Sequence, residues 1–228
     1  MKLIRIICLS FILGLSVCAY PKTYLSDNLI FLEANTVESK NIRLLQKKYN
    51  NTDIKAILKI DKEYPVAQTQ DNDFYLNHNY YRNYDVIGSI FLDYRANLEE
   101  SDKLLIYGHS SNMVDVDFNV LENYYDKNYY ENHKYITLET LNNIYTYEIF
   151  SVYIETSDFT YMNMNFDNEE DYFMHITKLK DKSLYPTNVN LNGNDDILIL
   201  QTCSNHKDYQ KYSKKYLLVI ARRVLNEK

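Results

Sequence analysis

From Ile54 onward the chain is a succession of short apolar runs, each closed by a polar turn, and that rhythm commits it to a fold of many short strands. The runs fall at residues 57–60, 86–92, 104–107, 135–141, 144–155, 197–200 and 216–221. Asn142-Asn143 separates two of them and suits a two-residue hairpin turn, because Asn tolerates the left-handed conformation such turns require. Ile197-Leu198-Ile199-Leu200 has no polar alternation at all, which predicts a strand buried on both faces. Helical spacing appears twice. Ile30, Ala34, Val37, Leu44 and Leu45 predict a helix over 30–49, and Tyr172, Phe173, Ile176 and Leu179 predict one over 168–183, with Asp167 as N-cap and Glu170 three residues on. The expected fold is therefore mainly β, a barrel or sandwich with helical decorations.

The 228 residues include only 4 Gly and 3 Pro, against 24 Tyr, so glycine-rich phosphate loops and dinucleotide fingerprints are excluded by inspection. Lys2 and Arg5 precede an apolar run over 6–20, followed by Pro21 and Lys22, which is a targeting pattern. The run is short for a full span, leaving a cleaved signal peptide and an uncleaved signal anchor open, with the anchor favoured. The basic flank predicts a cytoplasmic N-terminus, and hence a location at the extracytoplasmic face of the cell membrane, held by a single N-terminal anchor. The expected organisation is a signal segment at 1–25, a helical lead-in at 26–53 and one β domain at 54–228. Segment 1–25 carries three cations and no acid, so the formal charge of −6 becomes −9 for residues 26–228, a poor surface for nucleic acid.

Of the three cysteines, Cys8 and Cys18 lie in the N-terminal apolar run, so the folded part has one thiol, Cys203, and no internal disulfide. That thiol is either a buried small hydrophobe or a nucleophile. It follows the buried run directly, where a rigid strand fixes its position while its sulfur can face a cleft. A nucleophilic thiol needs a histidine close in space. His109 follows Tyr107-Gly108 at another strand end, whereas His175 falls on the apolar face of the second helix and His206 in a polar loop. The candidate pair is Cys203 with His109.

With these residues in hand, the sequence resembles the class B sortases, cell-wall transpeptidases of Gram-positive bacteria. The matching blocks are Tyr64-Pro65-Val66, the stretch from Asp71 to Asn79, and Gly88-Ser89-Ile90-Phe91-Leu92-Asp93-Tyr94-Arg95. Ile106-Tyr107-Gly108-His109, Leu198-Ile199-Leu200-Gln201-Thr202-Cys203 and the closing strand from Leu217 to Arg222 follow in order. The resemblance implies an eight-stranded sortase-type β-barrel with an N-terminal helical extension and a helix before the cysteine strand. It implies no cofactor and no metal. Its partners would be surface proteins ending in a sorting pentapeptide, and an amine of a peptidoglycan precursor or of another protein. The residue matching Cys203 would attack the Thr carbonyl of the pentapeptide to form a thioester, and the one matching His109 would serve as acid and then base.

The sequence departs from the family pattern where an Arg is expected at the start of the last strand, since no Arg lies between Cys203 and Arg222. Alignment puts Tyr216 there, and strand alternation would give Lys214 the same face while Lys215 points away, so Tyr216 and Lys214 are the candidate oxyanion donors. Asn77, Tyr80, Gln201 and Thr202 are candidate substrate-binding residues. Two other readings stand beside the transpeptidase: a sortase-fold binding protein that has lost activity with its Arg, and a secreted cysteine peptidase.

Overall fold

The computed structural model describes residues 39–224, and within them the strand rhythm closes into a barrel. The strands are β1 (Ile54–Lys59), β2 (Glu63–Ala67), β3 (Phe91–Leu92), β4 (Lys103–Tyr107), β5 (Tyr135–Glu139), β6 (Ile144–Glu155), β7 (Ile197–Cys203) and β8 (Tyr216–Arg223). Their order around the barrel is β1-β2-β3-β4-β7-β8-β6-β5, closed by antiparallel pairing of β1 with β5. Most pairs are antiparallel, but β4 and β7 run parallel in unbroken register from Lys103–Ile197 to Tyr107–Gln201. Parallel neighbours need a long crossover, and here it takes in β5, β6 and most of the helical structure.

Burial on both faces explains why the first four residues of β7, Ile197 to Leu200, are all apolar. Leu198 and Leu200 join Leu104, Ile106, Leu217 and Val219 in the barrel interior. Ile197 and Ile199 join Leu105, Leu218 and Ile220 on the outside, where Tyr172, Ile176 and Leu179 of a covering helix seal them. Each such fully buried side chain contributes about 1.5–3 kcal/mol. That helix, α3 (Glu169–Asp181), and α1 (Lys40–Tyr49) fulfil the two helical expectations in part; α2 (Lys127–Asn132) and a 3₁₀ segment at Asp117–Tyr125 were not anticipated. The expected start of the first helix, before residue 39, lies outside the described residues.

Several local expectations need correction. The cap of α3 is Asn168, whose side chain accepts from Asp171 N, one residue later than foreseen. The Asn142-Asn143 turn is the tip of a longer loop, because β5 and β6 pair from Glu139–Ile144 and Thr140 Oγ1 accepts from both Asn142 N and Asn143 N. The run over 86–92 supplies only the short β3. Val86 stays 72% exposed, and Gly88 (φ +65°) turns the chain so closely past Tyr75 and Leu76 that a Cβ would stand 2.5 Å from Tyr75 O.

The membrane location is also corrected. Among the described residues no helix is long and apolar enough to cross a membrane, the longest being the 13 residues of α3, about 20 Å against a hydrocarbon core of ~30 Å. The segment 1–25 on which the anchor and the location rested lies outside the described residues.

Candidate active site

The parallel register of β4 and β7 builds the site. Tyr107 pairs with Gln201, and Gly108 N donates to Gln201 O at 3.1 Å; His109 follows two residues after Tyr107, and Cys203 two residues after Gln201. Cys203 continues the outward-facing row of Ile197 and Ile199 on β7, and His109 lies just past the end of β4, whose outward row is Leu105 and Tyr107. Across the other edge of β7, Cys203 pairs with Tyr216, the first residue of β8. Gly108 serves the site through packing, since a Cβ there would sit 2.6 Å from the Phe118 ring.

Cys203 is exposed at the end of its strand. Desolvation pushes its thiol up from the ordinary range, the Lys215 charge draws it down, and Glu122 pushes it up again. His109 is half-exposed, and its Nε2 lies 2.8 Å from Leu76 O. A carbonyl can only accept, so that bond puts a proton on Nε2 and leaves Nδ1 to exchange one. The carbonyl comes from the 3₁₀ turn Phe74–Leu76, against which Gly88 packs.

The remaining histidines are committed elsewhere. His175 is buried and accepts from Lys103 Nζ at 2.8 Å. His206 accepts from Asp208 N through Nδ1, with its ring against Tyr125. His78 and His133 stack on Phe74 and Tyr129, each bonded through Nδ1 to the carbonyl four residues back.

The candidate substrate residues separate into two groups. Asn77 is exposed beside Leu76, hence near His109. Gln201 is half-buried and its Oε1 accepts from Tyr161 Oη at 2.7 Å, so it is no idle strand-end side chain. Tyr80, by contrast, is buried, donating to Pro65 O and accepting from Ile90 N, which leaves its hydroxyl nothing to offer a peptide. Thr202 is 1% exposed and alternates into the barrel interior with Leu200, away from the thiol.

The two candidate oxyanion donors also part. Tyr216 stands across from Cys203, with its ring edge-on to Phe159. Lys214 lies ahead of the strand, where alternation does not hold, and directs Nζ over the Phe159 ring at 5.7 Å. The cation felt at Cys203 is instead Lys215, whose backbone carbonyl accepts from Ser204 N at 2.9 Å. Strand alternation sets Lys215 aside only when it is carried back past Tyr216, where β8 begins.

Beneath the site, Asp93 is fully buried, and Arg95, Tyr107 Oη and Asn72 all donate to its carboxylate. Burial opposes its charge, but the Arg95 hydrogen bonds and the Tyr107 hydroxyl outweigh it and hold the carboxyl below its usual range. This pins Tyr107, two residues before His109.

Comparison with known proteins places this arrangement in a family. A family profile described as "Sortase domain" matches residues 56–224. Sortase B of Listeria monocytogenes is 41% identical over 157 residues, 68% of this chain and 63% of that protein. Sortase B of Staphylococcus aureus is 33% identical over 162 residues, 70% of this chain and 64% of that protein. The matched region thus spans less than two thirds of either relative's length. Among solved structures, a Staphylococcus aureus sortase B–substrate complex superposes with a TM-score of 0.74 at 28% identity, covering 94% of this chain and 98% of that one.

Proposed function

The chain belongs to the sortase family, with class B sortases as its relatives, and on that premise we propose that it is a cysteine transpeptidase. The observation that supports the reading is the in-register parallel pairing of β4 with β7, which carries His109 and Cys203 to the ends of adjacent strands with Tyr216 across from the thiol. The domain running over 54–228 is the catalytic unit, with 26–53 as its lead-in.

The Cys203 thiolate attacks the Thr carbonyl carbon of a C-terminal sorting pentapeptide. As the C–N bond breaks, His109 gives a proton to the departing amine and a thioester remains on sulfur. An amine from a peptidoglycan precursor or another protein then attacks the thioester, His109 takes its proton, and the C–S bond breaks to return the thiolate. A Staphylococcus aureus relative is known in complex with its substrate, which supports a peptide for the first half of the reaction. In place of the Arg, Tyr216 donates a fixed neutral hydrogen bond to the developing oxyanion and Lys215 supplies the positive field.

A labelled sorting peptide, incubated with and without an amine acceptor, tests the reading. The expected result is a transfer product that depends on the amine, and a covalent peptide adduct on Cys203 by mass spectrometry that Cys203→Ala abolishes without altering the circular dichroism spectrum. Hydrolysis alone, indifferent to the amine, would make the protein a peptidase, and absence of any product would make it a binding protein. An adduct on the Ala variant would move the nucleophile elsewhere.

A further inference from the structure

The backbone ladder between β4 and β7 stops at Gly108 N–Gln201 O, short of both reactive residues. Beyond it, side chains join the two strand ends. Glu122 Oε1 accepts from Asn205 N at 3.0 Å and from Ser110 Oγ at 3.3 Å, and Asn205 Nδ2 donates to Ser110 Oγ at 2.5 Å. Ser110 follows His109 directly, and Asn205 lies two residues after Cys203.

We propose that Glu122 is a positioning residue, tying the segment after His109 to the segment after Cys203 and so fixing the spacing of imidazole and thiol. The inference rests on the reading of Cys203 and His109 as the reactive pair.

Its structural basis is the 3₁₀ segment Asp117–Tyr125, in which residues three apart eclipse one another. One row, Phe118, Leu121 and Tyr124, is buried in the barrel. The next row, Asn119, Glu122 and Tyr125, meets the two site loops in sequence. Asn119 Oδ1 accepts from Ser111 N at 2.8 Å, Glu122 bridges Ser110 and Asn205, and Tyr125 Oη lies 2.7 Å from Ser204 Oγ. The buried row fixes the segment, and the polar row sets the loops. Glu122 sits at the centre of that row, and its carboxylate is the only member with a charge. The charged groups acting on Cys203 are Lys215 from the loop before β8 and Glu122 from the 3₁₀ segment, and Tyr216 stands across the ladder. The His206 ring packs on Tyr125 nearby. Glu122 opposes Lys215 at the thiol, so it carries an electrostatic signature that a purely structural residue would lack.

Two variants separate the effects, read by iodoacetamide alkylation of Cys203 against pH and by kcat and KM for peptide transfer. Glu122→Gln keeps the Oε1 acceptor and loses the charge: its alkylation midpoint should move to lower pH while most of kcat is retained. Glu122→Ala loses both: the midpoint should fall as in Gln, and kcat should drop by about 10²-fold with KM little changed, the scale of a small misplacement of reacting groups. Parent-like transfer in the Ala variant would overturn the proposal, as would equal loss in Ala and Gln with an unmoved alkylation profile. If Glu122→Ala does not fold, Ser110→Ala combined with Asn205→Ala severs the same ties from the loop side, and unchanged kcat there would overturn it too. A parent protein that alkylates normally and transfers nothing would defeat the transpeptidase reading, whereas a parent that transfers and a Glu122→Ala variant that keeps pace with it would defeat only the role of Glu122.

Discussion

The two ends of β4 each meet a histidine, and the two histidines live in opposite surroundings. At the start of the strand, Lys103 Nζ donates to His175 Nε2 and to Asn163 O, with both side chains buried. Burial, then the Lys103 charge, pushes His175 down to about 3, and burial pushes Lys103 down to about 7. At the far end, His109 is half-exposed, and among the described residues its hydrogen-bond partner is the Leu76 carbonyl. A histidine facing a buried cation becomes a fixed acceptor; one held by a single carbonyl keeps its second nitrogen for chemistry. The strand thus has a histidine fixed in the core at its start and one left at the surface just past its end.

The largest break in that contrast should appear in activity. His109→Ala is expected to slow transfer by at least about 10²-fold, the low end of what a positioned acid–base group contributes, while His175→Ala retains transfer per folded molecule. Rates normalised to titrated thiol check this, and a His109→Ala protein that turns over at the parent rate would hand the proton transfer to another group, with His206 next to be tested.

A second comparison sharpens the cysteine end. Tyr216→Phe should cut the acylation rate by about 10²-fold, the scale of a lost oxyanion donor, and Lys214→Met should leave it close to the parent because its ammonium rests over Phe159. Equal single-turnover rates in both variants would remove the Tyr216 hydroxyl from the oxyanion.

The smallest effect belongs to the buried end. Since His175 falls from 6.5 to about 3 on folding, the unfolded chain takes up that proton first. Its contribution is therefore complete above about pH 6.5 and is lost as the pH falls toward 3, with a slope of at most about 1.4 kcal/mol per pH unit. In His175→Gln, which keeps an acceptor for Lys103, urea midpoints measured from pH 7 to 4.5 should flatten. A slope identical to the parent would show that another group titrates there.

What the sequence disclosed follows from where periodicity is strong. The buried run before Cys203 and the long alternating run of β6 were legible because both faces, or one whole face, are covered. The run over 86–92 reads as a strand but yields only Phe91–Leu92, because Val86 faces solvent and Gly88 turns the chain. Cys203 and His109 were legible as strand-end residues. The roles of Lys215 and Glu122 were not, since the first depends on where β8 begins and the second on a three-residue repeat in a 3₁₀ segment that helical periodicity does not register. Tyr80 misled for a related reason: proximity to a motif says nothing of which way a side chain is spent.

The parallel junction of β4 and β7 also sets when the reactive pair can exist. Residues 109 and 203 stand far apart in sequence and are brought together through that junction, a long-range pairing whose loop-closure cost makes it slow to form. Until β4 and β7 pair, nothing in their register sets the segment after Tyr107 beside the segment after Gln201. The geometry of the proposed pair is a property of the closed barrel rather than of either strand alone.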